Sequence, residues 1–199
     1  AVAEQMEDLP FAPRRFACES ALALAKKLVD ISPGELSKVL FTTGGSDAIE
    51  VALKIARATT GRHKTISFWD AFHGAGFGSA SIGGEQFFRS HVIGPLLPGT
   101  EHVAPFACYR CPYGYPDLNG EAQTEICKTT CANFVRYVLE KEGDVAAVIA
   151  EPARAVPYLP PEGYWDSVRK ACNDNGALLI FDEIPTGLGK TGKMFACEH

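Results

Sequence analysis

The most informative segment of the sequence is Gly176-Ala-Leu-Leu-Ile-Phe-Asp-Glu183, because an uncharged run ends there in two carboxylates. An apolar run of this length after a glycine is typical of a buried strand in the middle of a parallel sheet. Open parallel sheets bind ligands at the carboxyl ends of their strands. A carboxylate buried at such an end needs a cation or a hydrogen-bond donor beside it. We therefore predict that Asp182 belongs to a binding site.

The composition is that of an ordinary globular chain and disfavours several classes of protein. The 199 residues are 46% apolar and 22% charged, which suits one sizeable α/β domain. A net charge of −5 disfavours binding to nucleic acid, which requires a basic face. The sequence lacks an apolar run of about 18 residues and the pattern of a signal peptide. We expect no membrane partner and a cytoplasmic location.

Apolar periodicity predicts strands that alternate with helices. Strands are predicted over residues 38–43, 65–68 and 145–150, in addition to the run that ends at Phe181. Helices are predicted over 18–30, from the turn at residues 44–47 to about Gly61, and over about 121–141 and 163–175. Residues 74–120 are rich in Gly and Pro and are expected to be mostly loop. The alternation predicts a three-layer α/β fold, with a mostly parallel sheet flanked by helices.

The cysteines leave two interpretations open. The chain has seven cysteines, and Cys108-x2-Cys111 is followed by Cys127-x3-Cys131, which is close to the spacing of a zinc ribbon. The alternative is a set of reduced thiols in a packed loop. Tyr113 and the neighbouring prolines favour the loop, so no metal is predicted here.

Three further segments place polar or aromatic groups at predicted strand ends. The turn Gly44-Gly45-Ser46-Asp47 precedes a helix, where free N–H groups favour a phosphate, although Ser46 is equally suited to cap that helix. Phe72-His73-Gly74 follows another strand. Taken alone, Phe72 is interpreted as a core aromatic, and with the other groups it offers a face to a ring. Glu151-Pro152 ends a third strand. Together with Asp182 these groups suit a flat cationic ring with a phosphate arm, as in pyridoxal phosphate.

These segments resemble, in order, the motifs of the class III (ornithine/4-aminobutyrate type) pyridoxal-phosphate aminotransferases. Phe41-Thr-Thr-Gly-Gly-Ser-Asp-Ala-Ile-Glu50 resembles F-x-N-S-G-S-E-A-x-E, Phe72-His73-Gly74 resembles Y-H-G, and Glu151-Pro152 resembles E-P. Asp182-Glu-Ile-Pro-Thr-Gly-Leu-Gly-Lys-Thr-Gly192 resembles D-E-V-Q-T-G-F-G-R-T-G. The last motif is long and specific, and four motifs in register make coincidence a poor explanation.

The resemblance implies a set of cofactor-binding residues: Gly45, Ser46, Asp47, Phe72, His73, Asp182 and Ile184. By this resemblance the first three hold the phosphate, with Asp47 contributing its backbone. Phe72 and Ile184 pack on the two faces of the ring, and Asp182 pairs with the pyridine nitrogen as the catalytic residue. Glu151 matches a glutamate that, in members acting on ω-amino acids, pairs with an arginine at the substrate carboxylate.

The sequence departs from the family pattern at several positions. Phe72 replaces a tyrosine, Pro185 replaces a glutamine, and Lys190 replaces an arginine. Arg154 lies where the family has a glycine-rich stretch, and we expect it to alter substrate binding. The lysine that holds the cofactor covalently in the family lies beyond His199. We therefore expect residues 1–199 to be part of the large domain, without the family's N-terminal segment and small C-terminal domain, and inactive alone.

The function implied by the resemblance is transfer of an amino group from an amine or amino acid to a 2-oxo acid, in a homodimer. Lyase or racemase activity begins from the same bound cofactor and remains an alternative, as does a non-catalytic fold fragment. A P-loop NTPase is disfavoured, because Ile184 occupies the position of the first glycine of that pattern.

Overall fold

The computed structural model describes residues 1–13, 15–90, 93–117, 121–154 and 158–199. The chain forms two compact units, Ala1–Phe41 and Thr42–His199. The first unit contains helix α1 (Val2–Asp8) and helix α2 (Glu19–Ile31), the second of which was predicted almost residue for residue. None of the described helices combines the length and the apolarity needed to cross a lipid bilayer.

The second unit is built on a sheet of four parallel strands. They are β1 (Lys64–Phe68), β2 (Thr100–Val103), β3 (Val145–Ala150) and β4 (Leu178–Phe181), in the spatial order β2-β1-β3-β4. Strand β3 is buried over its whole length because strands pair with both of its edges and helices cover both faces of the sheet. All four strands end at the same side of the sheet, so the segments that follow them are brought together there.

Helices cover both faces of this sheet. Helix α3 (Gly45–Thr60) and helix α4 (Phe77–Ile82) pack against Ile149 of β3. On the other face lie α6 (Thr130–Glu142) and α7 (Tyr164–Asp174), whose apolar residues join those of β1 and β3 in the main core. Helix α5 (Glu121–Cys127) precedes α6. The predicted three-layer α/β fold is therefore confirmed.

Some predicted elements differ from the structure. Strand β2 lies inside the region predicted to be loop, because its Thr-Glu-His-Val sequence lacks the apolar run of an inner strand. Residues 38–43 form no strand, and β4, predicted to be central, lies at an edge of the described sheet. Residues 38–43 and β4 both carry the apolar pattern of an inner strand. That pattern does not determine whether a neighbouring strand is present to pair with each edge. The helix predicted over 121–141 is interrupted where Lys128 and Thr129 adopt positive φ angles of 48°.

Candidate active site

A cavity of about 360 Å³ lies at the carboxyl ends of the strands, beside the start of α3. It is lined by all but one of the predicted site residues: Gly45, Ser46, Phe72, His73, Glu151, Asp182 and Ile184. These residues come from four separate parts of the chain. The parallel sheet brings them together because each follows a strand or begins the helix beside it.

Asp182 and His73 form a buried pair at the centre of this site. The Nδ1 atom of His73 lies 2.8 Å from Oδ2 of Asp182, and the two side chains are 0% and 2% exposed. The backbone N–H of Ile184 donates to the other carboxylate oxygen over 3.1 Å. Since an ionised carboxylate only accepts hydrogen bonds, Nδ1 of His73 carries the proton. The buried Nε2 atom of His73 has no hydrogen-bond partner among the described residues.

The start of α3 forms a cradle of backbone N–H groups. Gly44 caps the helix without a side-chain hydrogen bond, and Ser46 lies in the first turn, so Ser46 is not the cap. The Ser46 hydroxyl accepts a 3.2 Å hydrogen bond from the backbone N–H of Ala75, which leaves its own hydrogen free to donate. Gly74 has a φ of +121°, and a Cβ there would lie 2.4 Å from Oγ of Ser46. Only glycine allows this approach.

Asp47 is the predicted site residue that does not line the cavity. Its carboxylate accepts hydrogen bonds from the backbone N–H and the hydroxyl of Thr43, over 3.2 and 3.3 Å. The negative side chain is thereby held by Thr43. Its backbone N–H is one of the first-turn groups that have no partner within the helix.

Phe72 and Ile184 supply apolar surface to the cavity. Phe72 is 41% exposed and contacts Phe88 with a centroid distance of 4.6 Å, so it is not a core aromatic. Ile184 is 62% exposed and leads into Pro185, which also lines the cavity. Large apolar side chains that are open to a cavity offer packing surfaces for a flat ligand.

Glu151 and Arg154 are buried at the end of β3. The backbone N–H of Phe72 donates to Oε1 of Glu151 over 3.3 Å. The same oxygen lies 3.8 Å from Nε of Arg154, and Glu85 approaches the guanidinium from another part of the chain. The indole N–H of Trp165 donates to the carbonyl of Pro152 over 2.9 Å, which anchors the turn between Glu151 and Arg154.

Sequence reasoning missed three carboxylates that organise or line the site. Glu183 accepts hydrogen bonds from Thr186 and from the backbone N–H groups of Ala196 and Cys197, so it shapes the segment after β4. Glu50 accepts from the backbone N–H of Ser79 over 2.8 Å and links α3 to α4. Glu85 lines the cavity. Glu50 and Glu183 lie inside the recognised motifs, and this position could have identified them as site residues. No motif contains Glu85, so the sequence offered no comparable signal for it.

The four spaced cysteines line a second, much smaller cavity of about 10 Å³. Burial raises the pKa of Cys108, and it raises the pKa of Cys131 to about 12. Burial likewise raises the pKa of the neighbouring Tyr113 to about 12. Within the described residues, no group of three or more His, Cys, Asp or Glu side chains is arranged to hold a metal ion.

Comparison with known proteins shows which family the sequence matches. The family described as Aminotransferase class-III matches residues 1–199. The chain is 41% identical, over 98% of its length, to (R)-1-hydroxy-2-aminoethylphosphonate ammonia-lyase of Vibrio splendidus. It is 39% identical to the adenosylmethionine-8-amino-7-oxononanoate aminotransferase of Methanocaldococcus jannaschii and to the leucine/methionine racemase of Thermococcus litoralis, over 90% and 89% of its length. It spans 42%, 41% and 40% of these three curated relatives.

Solved structures agree with this assignment. The chain superimposes on an (S)-enantioselective omega-transaminase from Thermomicrobium roseum with a TM-score of 0.88 and 32% identity. An omega-transaminase from Pseudomonas jessenii in complex with PMP matches with a TM-score of 0.88 and 30% identity. Each comparison covers 99% of this chain and 45% of the other.

Proposed function

The chain belongs to the class-III aminotransferase family, and we propose that it is part of the large domain of a pyridoxal-phosphate-dependent transaminase. The whole protein would move an amino group from an amine or amino acid to a 2-oxo acid. The observation that carries this proposal is the buried pair of Asp182 and His73, which faces a cavity beside the start of α3. The family's enzymes use pyridoxal phosphate, and one solved neighbour holds PMP.

The residues present fit this cofactor. The first turn of α3 offers unpaired N–H groups and the hydroxyl of Ser46 to a phosphate, and Gly74 keeps the approach free of side chains. Phe72 and Ile184 offer apolar surfaces to the ring. When bound, pyridoxal phosphate withdraws electrons from the carbon that carries the amino group.

Asp182 would strengthen that withdrawal by holding a proton on the ring nitrogen. A buried carboxylate attracts a cation strongly, because little water screens the charge. His73 would act through Asp182 as a positioning residue: its Nδ1–H fixes one carboxylate oxygen, while the N–H of Ile184 fixes the other. The carboxylate plane is thereby set before the cofactor binds, and such preorganisation makes an electrostatic contact effective.

The proposal is tested on the whole protein. We expect it to bind pyridoxal phosphate and, when given an amino acid and a 2-oxo acid, to form the exchanged pair of products. Borohydride reduction should add the mass of the reduced cofactor to the denatured chain. Absence of bound cofactor, or of transfer across a broad panel of amines, would show that the proposal is wrong.

Elimination of ammonia is a second candidate, favoured by the 41% identity to the ammonia-lyase. Both reactions would use the same contact between Asp182 and the ring, so this site does not separate them. Ammonia release in the absence of any 2-oxo acid separates them, because transfer needs an acceptor. We also propose that the protein acts as a homodimer, in keeping with the family, and sedimentation of the whole protein tests this.

A further inference from the structure

Arg154 is a buried arginine that lines the candidate active site. Its side chain is only 6% exposed, and its Nε atom has no hydrogen-bond partner within the described part of the chain. Burying a guanidinium with a free donor is costly, so its presence at a cavity wall indicates that a ligand completes its hydrogen bonds. No other lysine or arginine is found among the described residues that line this cavity.

The carboxylates near Arg154 balance its charge but lie too far from its N–H groups to form short hydrogen bonds. Nη2 lies 3.5 Å from Oε1 of Glu85, and Nε lies 3.8 Å from Oε1 of Glu151. Charge-assisted hydrogen bonds are normally about 2.7–2.9 Å long. Tyr158 contacts both parts of Arg154. The backbone N–H of Arg154 donates to the Tyr158 carbonyl over 3.0 Å, and the guanidinium carbon Cζ lies 5.3 Å from the centroid of the Tyr158 ring.

The charges of the cavity indicate what this arginine binds. Glu85, Glu151 and Asp182 place three carboxylates around the cavity. A substrate that carries an acidic group would be repelled by them unless the group reached a cation. The planar guanidinium of Arg154 matches the paired oxygens of such a group.

We propose that Arg154 is the receptor for the acidic oxygens, carboxylate or phosphonate, of the substrate. The inference rests on the proposed transaminase function and adds a substrate class to it: amines or oxo compounds that carry a second, anionic end. On binding, the acid would take up the free Nε donor and replace the long contact to Glu85. Glu85 is the easier contact to give up, since its side chain is 31% exposed and water can solvate it.

The first test compares matched amines in the whole holoenzyme. β-Alanine, its phosphonate analogue and propylamine share a short chain and differ in the acidic end. We expect Arg154→Gln to raise KM for the two acids about 10- to 100-fold and to leave KM for propylamine within a few fold. Arg154→Lys should recover part of the loss. Arg136→Gln, on the exposed surface of α6, is the matched control and should change nothing. Equal losses for the acids and propylamine would overturn the inference, as would weakened retention of the cofactor.

A second test measures the binding of acids that cannot react, and it uses a variant that is expected to strengthen binding instead of weakening it. Propionate and methylphosphonate lack an amine, so calorimetry measures their binding without turnover. We expect Glu85→Gln to tighten this binding several-fold, because it removes a carboxylate that competes for the guanidinium. Unchanged or weaker binding would contradict the inference, and it would do so even if the Arg154 variants failed to fold. The relative affinities of the two probes show which oxyacid is preferred.

The two proposals fail in different ways. A protein that holds no cofactor and converts no amine disproves the transaminase function. A protein that converts amines, but whose preference between β-alanine and propylamine does not depend on Arg154, disproves only the acid receptor.

Discussion

The cavity at the strand ends and the cavity between the cysteines both carry side chains suited to chemistry, but they differ in volume, about 360 against 10 Å³, and in charge. The larger one contains carboxylates, an arginine and a histidine, and it opens beside a helix start. The smaller one is filled by the protein's own residues, including Tyr113 and Pro161. Burial raises the pKa of two of its thiols, Cys108 and Cys131.

The difference shows what separates a cavity that is open to a ligand from a packed cluster of reactive residues. At the strand ends the backbone stops pairing with itself, so N–H groups and carboxylates remain available to a ligand. Around the cysteines the chain packs on its own side chains and leaves almost no space. Residue spacing alone did not distinguish the two, whereas position relative to the sheet did.

Removing the carboxylate of Asp182 should have the largest effect. We expect Asp182→Ala to lower the kcat of the whole enzyme by about 1,000-fold, because the ring nitrogen loses its charged partner. The measurement is steady-state kinetics with any accepted amine, with circular dichroism to check the fold. Asp166→Ala, on the exposed side of α7, is the control. Activity within a few fold of the parent would mean that Asp182 does not contact the ring.

Replacing His73 should have a smaller effect, which falls on kcat and not on KM. We expect His73→Phe to lower kcat by about 10- to 100-fold with little change in KM, because Asp182 remains charged but loses a fixed orientation. His73→Asn should restore part of the activity, since its amide donates from nearly the position of Nδ1. A variant set in which Asn is no better than Phe would argue against the positioning role.

The fold could be predicted from the sequence where a local pattern matched its surroundings. Strand β3 and helices α3 and α7 were found because their apolar residues are the ones that become buried. Helix α2 was found from its apolar spacing alone, since none of its residues is buried. Strand β2 was missed because an edge strand with polar residues carries little of that signal. The central position predicted for β4 failed for the opposite reason: the apolar pattern is present, but the described sheet offers a partner on one edge only.

The candidate site could be predicted as a set of residues but not as a set of contacts. Each motif identified a strand end, so the grouping around one cavity followed from parallel strand direction. The contact between His73 and Asp182 joins residues 109 positions apart, and that between Arg154 and Glu85 joins residues 69 apart. Such contacts depend on sheet register and side-chain direction, which the spacing of residues along one chain does not contain.

Removing the hydroxyl of Ser46 should weaken the site modestly. We expect Ser46→Ala to raise the dissociation constant of the cofactor about tenfold, because one donor to the phosphate is lost while the backbone N–H groups remain. Equilibrium dialysis against pyridoxal phosphate measures this. Ser167→Ala is the control, because the Ser167 hydroxyl donates to the carbonyl of Gly163 at the start of α7, away from the cavity. An unchanged constant would limit Ser46 to its contact with Ala75.

Changes in the cysteine cavity should have the smallest effect on function. The reactivity of the thiols can be measured directly in this region. Hydrogen bonding to Ser20 lowers the pKa of the partly exposed Cys18, whereas burial raises the pKa of Cys131 to about 12 and that of Cys172 to about 11. Only the thiolate reacts, so at pH 8 we expect a thiol reagent to label Cys18 about 1,000-fold faster than Cys131. The rate at Cys131 should rise about tenfold for each pH unit, because the pH stays below the pKa of that thiol. Metal analysis should find less than about a tenth of an equivalent of zinc per chain. Two results together would show that the second cavity is a metal site: one equivalent of zinc per chain, and slow labelling of all four cysteines that becomes faster when a chelator removes the metal. The contrast between the two cavities would then no longer hold.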